Sequence, residues 1–191
     1  MTTQIQSRTM PRWVITGLQI GLFVTLLTIS AKIRLTIPGT PIPITMQTLA
    51  VLLTGMILGP VKGAAAVIAY VGLIWRGVPL DANGLGAAAL ISPTAGYLIG
   101  FMPAAFLAGI GWQAKGWQRF FNALGFGLIA VVVIFAFGWL GLFTLMGAAD
   151  KAFMAGVIPF VFIDFGKALL AAALVTLGRE SWARWFGAEL S

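Results

Sequence analysis

Two ionisable residues stand inside an apolar run near the end of the chain. Asp164 and Lys167 lie within a stretch that reads as one span from about Phe153 to Leu177. A charge near the centre of a membrane helix costs about 2.5–3.5 kcal/mol on insertion scales, so two of them need a reason. Three residues apart, they share one helix face and can pair. The aspartate accepts N–H donors, and the lysine donates to an oxygen. On the residues alone two readings stand: a self-neutralising pair that helps pack a bundle, or a polar ligand site inside it. Pro159 leaves the depth open. In a first helical turn it places the pair in the outer half of the membrane; as a kink in a longer helix it places the pair deeper.

Absences narrow the chemistry. The chain has no cysteine and no histidine. That removes disulfides, thiolate chemistry, a Ser–His dyad, and the commonest general base and metal ligand. The five acidic residues do not cluster as a paired-carboxylate metal site would. No G-x-x-x-x-G-K-[ST] occurs, so ATP hydrolysis is not expected in this chain. No catalytic residue, metal site or cofactor is expected.

These residues must be carried by a membrane bundle. The chain is 191 residues long, 60% hydrophobic and 9% charged, against about 25% charged in soluble domains. The net charge is +7, but the basic residues sit singly between apolar runs, so nucleic-acid binding is not expected. Six helical spans follow from the apolar runs: Trp13 to about Ile33, Met46–Leu58, Gly63–Trp75, Thr94–Trp112, Phe121–Met146 and Phe153–Leu177. The second and third are short for full crossings. Lys115, Trp117 and Arg119 read as one turn, and Asp150 and Lys151 as another.

The expectation is an all-α integral membrane protein of one transmembrane domain. Residues 1–12 form a cytoplasmic segment without a cleavable leader, 13–178 the bundle, and 179–191 a cytoplasmic tail. Orientation rests on basic residues. Arg8, Arg12, Lys62, Lys115, Arg119, Arg179 and Arg184 fall inside, against Lys32, Arg34, Arg76 and Lys151 outside. Trp13, Trp75, Trp112, Trp117 and Trp182 lie near span ends, where aromatic belts form.

Two connections draw notice. Pro38-Gly39-Thr40-Pro41-Ile42-Pro43 cannot be helix interior; it reads as a rigid connector or as a lid whose ordering entropy is already reduced. It leads into Thr45, Gln47 and Thr48. The link from Arg76 to Pro93 holds Asp81 and Asn83 yet is apolar from Leu85 to Ile91, as if folded back on the outer mouth. In the first span Gly17 and Gly21 form a small-xxx-small pair, for packing within the bundle or for a partner.

Three stretches together resemble the BioY family, the biotin-binding S components of energy-coupling-factor (ECF) vitamin transporters: Pro41-Ile-Pro-Ile-Thr-Met-Gln-Thr48, Ser92-Pro-Thr-Ala-Gly-Tyr-Leu-Ile-Gly-Phe101, and Pro159-Phe160 with Asp164 and Lys167. The resemblance covers roughly residues 13–178. It implies a six-helix S-component bundle binding biotin near the outer face, with the loop after the first helix closing over it. Asp164 and Lys167 match the family's charged pair, and Asn83 its polar contact in the third link. The candidate ligand set is completed by Tyr97, Thr45, Gln47 and Arg76. Gly17 and Gly21 occupy the place of the family's docking motif for the transmembrane coupling subunit, with two cytoplasmic ATPases supplying the energy. Where the family often reads Gly-x-Pro-Val-Phe-Ala, this chain reads Gly77-Val-Pro-Leu-Asp-Ala82, so Asp81 stands out. Rival readings are an S component for another vitamin, a proton-coupled carrier using Asp164, a membrane enzyme, and a structural scaffold.

Overall fold

The computed structural model describes residues 11–111 and 117–178. Arg8, Lys115, Arg179, Arg184, Trp112, Trp182 and the C-terminal tail lie outside the described residues. Helix α1 (Arg12–Lys32) is followed by strand β1 (Arg34–Leu35), the proline loop, and strand β2 (Ile44–Thr45). Then come α2 (Gln47–Leu58), α3 (Pro60–Trp75), a 3₁₀ turn over Gly86–Ile91, α4 (Ala95–Gly111), α5 (Trp117–Met146), α6 (Ala149–Gly156) and α7 (Val161–Leu177). The architecture is a helical membrane bundle. Its departure from all-α is the small antiparallel ribbon, in which Arg34 lies opposite Thr45 and Leu35 opposite Ile44.

Large apolar side chains cover the outside as well as the inside. Trp13, Leu18, Leu22 and Ile29 of α1, Ile129 and Val132 of α5, and Leu169 and Leu170 of α7 are exposed, as befits helices that meet hydrocarbon. The core is built from Leu27, Leu52, Met56, Tyr70, Ile74, Ile134 and Leu142. Helix α2 lies at the centre: all of its residues except Leu53 are buried. With 12 residues it is only about 18 Å long, well short of the roughly 30 Å hydrocarbon layer.

Close packing depends on glycines where backbones meet. A Cβ on Gly55 of α2 would collide with the Ala105 carbonyl of α4, and one on Gly63 of α3 would lie 2.7 Å from Gly55 Cα. Along α4 and α5, Gly96 faces Gly141. Without a hydrophobic force between helices in lipid, such contacts are the main attraction. The turn between α2 and α3 uses Gly59 at φ +80°, with Pro60 opening α3; proline fits there because a first-turn N–H has no helical partner to lose.

The expected boundaries change in two places. Trp117 and Arg119 belong to α5, not to a turn, and Arg119 is buried. The sixth span is not one helix from Phe153. It begins at Ala149, takes Asp150 and Lys151 into its first turn, and bends by 48° between α6 and α7. The physical reason lies in Pro159: with no N–H to donate and its ring pressing on the preceding turn, it breaks a helix.

Gly55→Val is expected to lower stability by about 1–3 kcal/mol or more, as overpacking does. Gly125→Val, whose Cβ meets open space, is expected to leave stability near wild type. Thermal unfolding in detergent distinguishes the two.

Candidate functional site

The break at Pro159 sets the position of the charged pair. Phe160 caps α7, and Asp164 falls in that helix's first turn, where the positive end of the helix dipole favours a negative charge. Lys167 follows one turn later. Both are buried, at 5% and 7% exposure. The Lys167 ammonium donates to Asp164 Oδ1 at 2.6 Å and to the Thr45 carbonyl at 2.6 Å. Thr48 Oγ1 donates to Asp164 Oδ2 at 3.2 Å. The pair is thus tied to β2 and the first turn of α2.

The broken helix leaves carbonyls at the end of α6 without helical partners. Two hydroxyls answer them. Thr40, in the proline loop, donates to the Ala155 carbonyl at 2.7 Å, and Tyr97 of α4 donates to the Gly156 carbonyl. The Tyr97 ring lies where a Cβ on Gly138 would be. The proline loop is therefore fastened at its tip to the α6–α7 break.

A cavity opens beside the pair, with a free volume of about 50 Å³, room for a few waters. Apolar walls come from Ile42, Pro43, Leu98, Phe101 and Phe160; polar groups come from Thr45, Gln47, Thr48, Asp81, Thr94, Tyr97, Asp164 and Lys167. An apolar chamber with a few converging polar groups is the usual form of a small-molecule site. Gln47 is held by donating to the Tyr70 hydroxyl at 2.8 Å, which itself donates to the Leu80 carbonyl at 3.1 Å.

Of the sequence-derived candidates, Asp164, Lys167, Thr45, Gln47 and Tyr97 line this one cavity. Asn83 and Arg76 are not among its lining residues. The Asn83 side chain instead accepts a hydrogen bond from Arg34 Nη1, and Arg76 is the exposed C-cap of α3. Three polar lining residues, Thr48, Asp81 and Thr94, were absent from the candidate set. Thr48 had its signal in the proline-loop motif. Asp81 had a local one: Asp-Ala-Asn-Gly is turn chemistry. Its carboxylate accepts the N–H of Asn83 and of Gly86, each at 2.9 Å, and it is 2% exposed. That turn folds the link over the cavity, as its apolar composition led one to expect. At Gly17 and Gly21 a Cβ would meet nothing within 4 Å, so packing inside the bundle is not their role. Among the described residues no group of three or more acidic side chains gathers as a metal site.

The sequence model of the BioY family matches residues 1–184. A "Probable biotin transporter BioY" of Pyrococcus horikoshii is 36% identical over 156 residues, 81% of this chain and 90% of the relative. The "Biotin transporter BioY" of Thermotoga maritima is 37% identical over 158 residues, 82% of this chain and 90% of the relative. In fold, the chain is similar to the crystal structure of the S-component for biotin from an ECF-type ABC transporter, with a TM-score of 0.79 and 23% identity, covering 90% of this chain and 95% of that one.

Removing one partner of a buried ion pair costs about 3–5 kcal/mol, whereas replacing both by apolar groups is often neutral. Lys167→Met is therefore expected to destabilise strongly, and Asp164→Leu combined with Lys167→Met to recover most of the loss. Thermal unfolding of the three proteins in one detergent checks this.

Proposed function

The chain belongs to the BioY family, and from that premise we propose that it is the biotin-binding subunit of an ECF-type uptake transporter. It is a transport subunit of the cell membrane, not an enzyme, and no bond in the ligand changes. The observation that carries the reading is the buried Asp164–Lys167 pair at the wall of an otherwise apolar chamber. Biotin has a ureido group with two N–H donors and one oxygen, an apolar bicycle and chain, and a carboxylate. Asp164 keeps acceptor capacity beyond its two bonds, since an ionised carboxylate offers about four sites. Lys167 has three donors, of which two are engaged. The third is left for a ligand oxygen. The apolar walls suit the bicycle.

A free volume of about 50 Å³ is far below the size of a drug-sized ligand's pocket, about 300–1,000 Å³. Entry of biotin therefore requires the proline loop and the link after α3 to move outward, and capture requires them to return. Closure around bound ligand favours the loop conformation that the prolines already restrict.

Energy comes from the ECF module: a transmembrane coupling subunit and two cytoplasmic ATPases. With both termini in the cytoplasm, Gly17 and Gly21 lie in the inner half of α1, on its exposed face. Two missing side chains in a row of Trp13, Leu18 and Leu22 make a notch in which another helix approaches closely. That is the proposed dock for the coupling subunit.

Calorimetric titration of purified, folded protein is expected to show one-to-one binding of biotin and none of riboflavin or thiamine. Asp164→Asn is expected to weaken biotin by more than about tenfold, the loss of over 1.4 kcal/mol; unchanged affinity would remove Asp164 from the site. Gly17→Leu is expected to abolish co-purification with the coupling subunit while biotin binding stays intact. Survival of the complex would move the dock elsewhere.

A further inference from the structure

Biotin is an anion, and the charge of the chamber does not suit one. Its charged lining consists of Asp81, Asp164 and Lys167, which leaves one negative charge in excess. Lys167 is already neutralised by Asp164 at 2.6 Å. A ligand carboxylate brought to Lys167 would face the Asp164 carboxylate at close range, where like charges repel strongly. The depth of the chamber therefore suits a neutral hydrogen-bonding group, and the anionic end needs another place.

Two cations stand where the end of α1 meets the link after α3. Lys32 Nζ donates to the carbonyls of Pro79 and Asp81, at 3.0 and 2.6 Å. Arg34 Nη1 donates to the amide oxygen of Asn83. Both cations are exposed, and the partners just named are neutral oxygens rather than carboxylates. Neither cation is therefore held by a carboxylate in the contacts just named. Both are joined to the chamber. Asp81, whose carbonyl holds Lys32, lines it. Arg34 is the cross-strand partner of Thr45, so the two side chains leave the ribbon on the same face, and Thr45 is itself a lining residue. With the two cations counted, chamber and rim together carry one positive charge in excess.

We infer that Lys32 and Arg34 form a carboxylate subsite at the outer rim, receiving the acidic tail of the ligand whose neutral end lies at Asp164 and Lys167. The inference rests on biotin being the ligand. A guanidinium has five N–H donors in a fork that matches a carboxylate, and Asn83 occupies one direction of it. A cationic rim also raises the local concentration of an anion before it enters. Arg34 and Lys32 join the two covers of the chamber, the ribbon and the link, so a carboxylate seated there would add a third party to the same seam.

The test is titration of detergent-purified protein with biotin and with its uncharged carboxamide. Wild type is expected to bind biotin about tenfold or more tightly than the amide. Lys32→Gln with Arg34→Gln, which keeps N–H donors for the carbonyls and for Asn83, is expected to abolish that preference by weakening biotin and leaving the amide unchanged. Lys32→Arg is expected to retain it. Rising ionic strength in wild type is expected to weaken biotin and spare the amide, because exposed charges are screened. Equal affinity of wild type for both ligands, a preference that survives the double replacement, or a parallel loss of both ligands would overturn the subsite while leaving biotin as the ligand. Binding of neither ligand by folded wild type would instead remove the biotin reading, and the subsite with it.

Discussion

A carboxylate buried in a membrane bundle has to be answered from every side, and the structure around Asp164 is arranged by that need. Asp164 is 5% exposed, so most of the answer must come from the protein. Lys167 supplies the charge, Thr48 a hydroxyl, and the start of α7 the positive end of its dipole. Each of these has a structural condition. That helix end lies beside Asp164 only because the sixth span breaks at Pro159. Thr48 is in reach only because α2 begins at Gln47, directly after the ribbon. Lys167 is held in place by the Thr45 carbonyl. Break, ribbon and short central helix therefore stand or fall together.

The same interactions connect the ligand site to its covers. The proline loop is bound at its tip to the α6 terminus through Thr40, and the ribbon at its base is bound to α7 through Lys167. Asp81 folds the link after α3 by capping two backbone N–H groups, and its carbonyl holds Lys32 at the end of α1. Lys32, Arg34, Asp81 and Lys167 thus each fasten a loop or the ribbon to a neighbouring element.

Much of the site was legible because charges inside apolar runs are conspicuous. Asp164 and Lys167 stand out against a span of Phe, Ile, Ala and Leu, and the energetic cost of burying them singles them out without any knowledge of the fold. Six helical spans follow from apolar runs for a similar reason. Other features depend on contacts distant in sequence. Pro159 allowed two depths for the pair, and only packing of α6 against Thr40 and Tyr97 selects the break. The hydrogen bond between Arg34 and Asn83 was not legible, because it depends on a ribbon of two-residue strands too short to carry a periodic signal. Asp81 looked out of place in an apolar motif. Its partners are backbone N–H groups, which leave no mark in side-chain pattern. Gly17 and Gly21 read the same whether a helix of this bundle or of another protein lies against them, and only the open space beside them shows that, among the described residues, no helix of this bundle does.

The helices are of very unequal height. At 1.5 Å per residue, the 30 residues of α5 extend about 45 Å and the 21 of α1 about 31 Å, while α2 reaches only about 18 Å but is hidden among its neighbours. Long and short helices stand side by side, as the 21-residue α1 does against the 16-residue α3. A bilayer accommodates such hydrophobic mismatch by thinning or by tilting the protein, at fractions of a kcal/mol per Å. Membrane thickness thus becomes a mechanical variable for this protein: a tilt that relieves the mismatch of the long helices changes how far the outer loops and the inner end of α1 stand from their respective surfaces.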